Sequence, residues 1–243
     1  MRLTVLGCAG SFPGPDSPCS SYLVETDGFR LLVDLGSGAL SALQRHIGLY
    51  DVDAVVLSHL HPDHWFDLCP YMVARQYGGG QPLPPLPVYS PPGLTERLTM
   101  AYDQPPDVYD IRPLTAGRLQ IGPVAVHVQR VNHPVETYGL RIEHGGRVLT
   151  YSADTGPCDA LVDLARDADV LLCEASFVSG PGNTRDLHLT GAQAGEHATR
   201  AGVGRLLLTH LVAWNDVEQV RAEAAATFTG DLALARPGGV YEI

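Results

Sequence analysis

A chain of 243 residues, 45% of them hydrophobic, is long enough to bury a sizeable core, and one domain spanning 1–243 is the expectation. Its 16 Lys and Arg against 27 Asp and Glu leave a formal charge of -11, so no long-range field gathers nucleic acid onto it, and the scattered arginines form no basic run. Five cysteines, odd in number and never spaced C-x-x-C, exclude a disulfide framework and a thiolate zinc knuckle, and point to a cytoplasmic setting.

The chain opens on a strand, "RLTVLG" from Arg2, with no secretory leader pattern, and no apolar run reaches the roughly 18 residues that a membrane span needs, so a membrane partner is not expected. Further strand patterns follow: "SYLVE" from Ser21, "RLLVD" from Arg30, "AVVLS" from Ala54, "VAVHVQRV" from Val124, "RVLTYSA" from Arg147, "DVLLCE" from Asp169 and "RLLLT" from Arg205. Helical patterns lie between them, at "SGALSALQRHI" from Ser37, "TGAQAGEHATRA" from Thr190 and "NDVEQVRAEAAATF" from Asn215. The alternation predicts an α/β protein with sheets covered by helices. The Pro- and Gly-rich "GGGQPLPPLPVYSPPG" from Gly78 reads as a surface connection carrying its own short strand, "PVYS".

Metal-ligating residue types fall at strand ends. The segment "SHLHPDHWFDL" places His59, His61, Asp63 and His64 directly after "AVVLS", with a helix expected from about "HWFDL". His133 follows "VHVQRVN", Asp154 follows "VLTYSA" and His210 follows "RLLLT". Strand ends in α/β sheets converge on a crevice, and rigid strands are what a metal site requires. Alternate residues of an extended segment point the same way, so His59 and His61 reach one ion together, while Asp63 and His64 face a second position. Seven such residues suit two divalent ions that share a carboxylate. Zinc is expected first, and the same His and Asp donors accept manganese or iron.

"HLHPDH" with His133, Asp154 and His210 resembles the five-motif signature of the metallo-β-lactamase fold superfamily. The likeness covers nearly the whole chain and implies a four-layer αββα sandwich with the metals at the sheet edges. It implies that His59, His61 and His133 hold one ion, that Asp63, His64 and His210 hold the other, and that Asp154 bridges them. Asp34, in "LLVDLGSG", matches an early family aspartate that orients the metal histidines.

Within that superfamily, "LGCAGSFP", "CEASF" and "HLTGAQAGEHA" resemble the ribonuclease Z-like phosphodiesterase branch, which pairs a Glu and a His at the positions of Glu174 and His188. An alkoxide leaving group needs a proton. The implied mechanism is attack by a hydroxide bridging the two metals and oriented by Asp63, with His188 as general acid held by Glu174. Alternatively, His188 caps the helix near Thr190 and Glu174 is a structural acid. Only 20 residues separate His133 from Asp154, which leaves no room for the tRNA-gripping arm of the processing enzymes. With that gap and with Asp67 in place of the commoner Gly, the chain looks most similar to the atypical cyclic nucleotide phosphodiesterases of actinobacteria. The expected partner is therefore a small phosphodiester, a 3',5'-cyclic nucleotide first of all, and not nucleic acid. The alternatives are a lactonase, thioesterase or β-lactamase on the same metals, or a tRNA 3'-processing endonuclease. Whether the chain forms a homodimer is left open. Trp214, four residues after His210, is expected to pack beneath the helix from Asn215, with base stacking as the alternative. His46, His127, His144 and His197 are read as surface or packing residues.

Overall fold

Strands whose every residue is apolar, such as "LLV", "VLL" and "LLL", must be covered on both faces, and the fold covers them. The computed structural model describes every residue except 79, 81 and 104. The first half of the chain supplies β1 (Arg2–Gly7), β2 (Ser21–Thr26), β3 (Phe29–Val33), β4 (Ala54–Val56), β5 (Leu86–Ser90) and β6 (Tyr109–Pro113). The second half supplies β7 (Gly117–Ile121), β8 (Val124–Arg130), β9 (Tyr138–His144), β10 (Arg147–Tyr151), β11 (Val170–Glu174), β12 (Arg205–Thr209), β13 (Asp231–Leu234) and β14 (Val240–Glu242). They form two seven-stranded mixed sheets, ordered β14-β1-β2-β3-β4-β5-β6 and β13-β12-β11-β10-β9-β8-β7.

Helices α1 (Ala39–Leu43), α2 (Pro62–Trp65), α3 (Leu68–Tyr77) and α4 (Leu94–Ala101) belong to the first sheet, and α5 (Asp159–Leu164), α6 (Gly191–Ala201) and α7 (Val217–Ala225) to the second. Side-chain alternation builds three apolar layers. Leu31 and Val33 meet Leu172 and Leu207 between the sheets. Leu32 and Val55 turn outward onto Leu43, Leu68 and Met72, while Leu171, Leu206 and Leu208 turn outward onto Ala194, Ala198 and Val220. This is the expected αββα sandwich of the metallo-β-lactamase fold.

The expected elements differ mainly at their ends. α1 stops at Leu43, where a turn over 44–46 follows, and the helix expected near "HWFDL" is broken into α2 and α3 at Phe66–Asp67. Strands β6, β7, β13 and β14 escape a pattern reading because they lie at or next to sheet edges and keep few buried positions. "PVYS" lies in β5, whereas residues 79 and 81 of the Pro- and Gly-rich connection lie outside the described residues. All five cysteines are free thiols. No described helix is long and apolar enough to cross a membrane.

Candidate metal centre

Within each sheet the strands that carry the candidate ligands run parallel, β3 beside β4 and β10 beside β11 and β12, so their C-terminal ends share an edge. The backbone there is forced into the left-handed region at four non-glycine residues: Ser11 (φ 67°), Asp34 (φ 56°), Ala153 (φ 54°) and His210 (φ 54°). Each such residue costs of order 1 kcal/mol and persists only where the surroundings over-determine it.

The edges bring together two groups that share one carboxylate. His59, His61, His133 and Asp154 form one, and Asp63, His64, Asp154 and His210 the other, with the donor atoms of each group within 4.8 Å of one another. In the first, His61 Nδ1 lies 3.1 Å from His59 Nε2 and 3.2 Å from His133 Nε2, so three ring nitrogens converge. In the second, His210 Nε2 lies 3.1 Å from Asp63 Oδ2 and 3.4 Å from Asp154 Oδ2, and His64 Nε2 lies 3.3 Å from Asp154 Oδ1. That last pair is close but misaligned, and both atoms are buried without a hydrogen-bond partner. Orphaned buried atoms of this kind carry a desolvation penalty that a cation between them removes.

The other nitrogen of four of these histidines is occupied. His133 Nδ1–H donates to the Leu187 carbonyl (2.9 Å), and His64 Nδ1–H to Asp34 Oδ2 (2.8 Å). His59 Nδ1 meets Ser58 Oγ at 3.1 Å, and His210 Nδ1 meets Ser176 Oγ at 2.6 Å. Partners of this type leave the opposite nitrogen lone pair facing the cluster, as metal ligation demands. Donor set, geometry and orphaned atoms thus fit two cations in the arrangement expected from the sequence.

Charge within the cluster is redistributed by burial and by neighbours. Burial opposes ionisation of Asp154 and Asp63, yet His210 and His64 outweigh it and hold both well below the usual carboxylate range. Burial also disfavours a charged His64, but Asp154 and Asp34 outweigh it and push the imidazole well above its ordinary value. Burial, with His64 beside it, keeps His59 well below.

Asp34 lies at the end of β3, as expected of an orienting aspartate. Its Oδ1 accepts from Ser58 N (2.7 Å), and its Oδ2 accepts from Ser58 Oγ (2.8 Å), His64 and Tyr151 OH (2.9 Å). Asp67 instead caps the start of α1, accepting from Leu40 N at 2.8 Å. Ser11 N–H donates to Asp63 Oδ2 at 2.9 Å and so fixes that carboxylate.

His188 and Glu174 do meet. His188 Nδ1 lies 2.9 Å from Glu174 Oε1, and its ring centroid lies 5.6 Å from that of His133 and 5.3 Å from that of His210. Burial works against a charged ring, but Glu174 and then Asp154 outweigh it and push His188 up to about 9. It does not cap α6, because Thr190 does so, in a reciprocal box with Gln193. A cleft of about 350 Å³ beside His188 is lined by Phe177, Asn183, Arg185 and Gln193 among others.

Trp214 departs from expectation. It is 68% exposed and stands 5.6 Å from the ring of half-exposed Phe12, rather than beneath α7. Asn215 takes the inward place, donating to the Ser176 carbonyl at 2.7 Å, and Val220 supplies the buried face of the helix. His46, His127, His144 and His197 belong to neither group; His197 packs between the Gln193 carbonyl and Cys158 N. Ser58, Ser176, Tyr151 and Ser11 are the contributors that pattern reading missed. Ser58 and Ser176 had one signal, their place beside or two residues from a site residue in "SHLH" and "EAS".

The sequence pattern of the Beta-lactamase superfamily domain matches residues 29–211. The chain belongs to the metallo-β-lactamase superfamily. Among members of the superfamily it is 43% identical to Uncharacterized protein ML1173 of Mycobacterium leprae, over 100% of this chain and 89% of that protein. It is 35% identical to Probable metallo-hydrolase YhfI of Bacillus subtilis over the full length of both. The crystal structure of YhfI superposes with a TM-score of 0.91 at 32% identity, covering 100% of this chain and 98% of that one. Ribonuclease Z of Mycolicibacterium gilvum is 34% identical over 87% of this chain and 84% of its own length.

Proposed function

We propose that this chain is a metal-dependent phosphodiesterase with two metal ions that opens a small phosphodiester, a 3',5'-cyclic nucleotide first of all, to the monoester. The observation that carries the reading is the pair of buried Glu174 and half-buried His188 beside the second ligand group, a held proton donor where a leaving oxygen would depart. Kinship with proteins named metallo-hydrolase and Ribonuclease Z supports hydrolysis at phosphorus. Two divalent cations, zinc or else manganese or iron, supply charge neutralisation for the phosphoryl group and acidify water when bound by His59, His61, His133, Asp63, His64, His210 and the shared Asp154.

The chain's own residues do the rest. Asp63, fixed by Ser11 N–H and His210, orients the attacking water with its carboxylate. As the new P–O bond forms and the old one breaks, His188 gives its Nε2 proton to the departing alkoxide, and Glu174 at Nδ1 supports the charged ring beforehand. Arg185, exposed and without an ion pair among the described residues, offers a cation to an anionic substrate on an otherwise acidic chain. The exposed Phe12–Trp214 pair supports a substrate with a flat base: Ser11, next to Phe12, bonds a ligand carboxylate, and stacking is worth ~1–3 kcal/mol per base.

A tRNA precursor fits less well, because the 20 residues between His133 and Asp154 are used up by the β9–β10 hairpin turning at Gly145–Gly146. A lactonase, thioesterase or β-lactamase would have no use for the acid at His188. The test is His188→Ala in metal-saturated protein. Turnover of a cyclic nucleotide should fall by ~10²–10⁴-fold, while bis(p-nitrophenyl) phosphate, whose leaving group needs no proton, should be cleaved nearly as well as by the parent. Equal losses on both substrates, or loss of metal, would overturn the assignment.

A further inference from the structure

Glu174 is wholly buried, and both its oxygens are in use. Oε1 accepts from Thr155 N (2.8 Å) and His188 Nδ1 (2.9 Å). Oε2 accepts from Ser176 N (3.1 Å) and Ser176 Oγ (3.0 Å). The same Ser176 hydroxyl stands 2.6 Å from His210 Nδ1 and 3.0 Å from the neutral His210 carbonyl oxygen. A hydroxyl has one hydrogen, and the carboxylate is its strongest acceptor, so its lone pairs are left to receive the ring N–H of His210. The His210 lone pair then sits on Nε2, the nitrogen that faces Asp63 and Asp154. Without the hydroxyl, the ring has no reason to keep its proton on Nδ1, and a proton on Nε2 points at the place of the ion.

The other sheet repeats the device. Asp34 holds His64 directly, and Ser58 passes its second contact to His59. In each sheet a buried carboxylate at a strand end thus governs one histidine directly and another through a serine. Glu174 differs in spanning two roles, since one of its histidines is a ligand and the other is the proton donor.

We infer that Ser176 is a positioning residue for His210, and that Glu174, acting through Ser176, sets the affinity of the second metal position as well as holding His188. This rests on the metal centre proposed above and is independent of the substrate. The full-length protein is stripped of metal and titrated with Co²⁺ against a chelating dye, as parent, Ser176→Ala, Ser176→Thr and Glu174→Gln. In Ser176→Ala one equivalent should weaken by ~10–100-fold, with a change in its visible Co²⁺ bands, while the other equivalent is unmoved. Ser176→Thr, which returns a hydroxyl, should recover the affinity. Glu174→Gln keeps the shape but removes the charged acceptor that draws the Ser176 hydroxyl hydrogen away from His210 Nδ1. It should weaken the same equivalent, and it keeps the test alive even where Ser176→Ala does not fold.

Parent-like binding of both equivalents in folded Ser176→Ala or Glu174→Gln would overturn the inference. So would equal weakening of both equivalents in the alanine and threonine variants alike, which would mark a packing role. A parent that takes up no second equivalent would instead bring down the two-metal reading itself, and this inference with it.

Discussion

Glu174→Gln at saturating metal isolates the charge that Glu174 places beside His188. Burial alone would hold that ring below its ordinary value, but Glu174 first, and then Asp154, push it up to about 9, and the side chain is only 13% exposed, so solvent screens little of the effect. Against an unperturbed value near 6.5, the difference of about 2.5 units favours the protonated ring by about 3 kcal/mol. The sign follows: below about pH 6.5 both proteins carry the proton, and between about 6.5 and 9 only the parent does. Simple titration curves then make the parent's advantage on a cyclic nucleotide less than ~2-fold at pH 6, ~10-fold at pH 7.5 and ~70-fold at pH 8.5. The assay is kcat for parent and variant across that range with metal in excess, alongside bis(p-nitrophenyl) phosphate, for which the ratio should stay flat. A ratio on the cyclic nucleotide that does not change with pH would refute the reasoning, because it would mean that Glu174 acts through geometry and not through the proton on His188.

Because Asp154 belongs to both ligand groups, elemental analysis should find close to two metal equivalents in the parent and one or fewer in Asp154→Ala, with activity lost. Two equivalents with normal turnover in that variant would show that the bridge lies elsewhere. Trp214→Ala should raise KM for a cyclic nucleotide by ~5–150-fold, the kinetic equivalent of ~1–3 kcal/mol of stacking. An exposed side chain away from the core should leave Tm nearly unchanged. A lowered Tm with KM unmoved would return Trp214 to a structural role.

The two buried His/Asp groups were legible in the sequence because metal chemistry restricts the residue types and the sheet restricts their places. Only a few side chains donate to a cation, and "HLHPDH" gathers four of them just after a strand, with His133, Asp154 and His210 repeating that position elsewhere. The alternation of strands and covering helices was legible too, whereas the four-layer αββα arrangement came from the likeness to the superfamily. The Glu174–His188 pair came from its likeness to a branch of the superfamily, and its 2.9 Å contact spans 14 residues that no local pattern constrains.

The rest depended on contacts between distant segments. Tyr151 reaches Asp34 across 117 positions, and Ser176 reaches His210 across 34, through a residue type too common to stand out. Trp214 shows the limit most plainly. Its residue type favoured burial, but the turn after β12 sends Asn215 inward, where it bonds the Ser176 carbonyl, and the indole outward. Residue chemistry determined which side chains could donate to a cation, whereas the meeting of two sheet edges decided which hydroxyls and carboxylates lie against them.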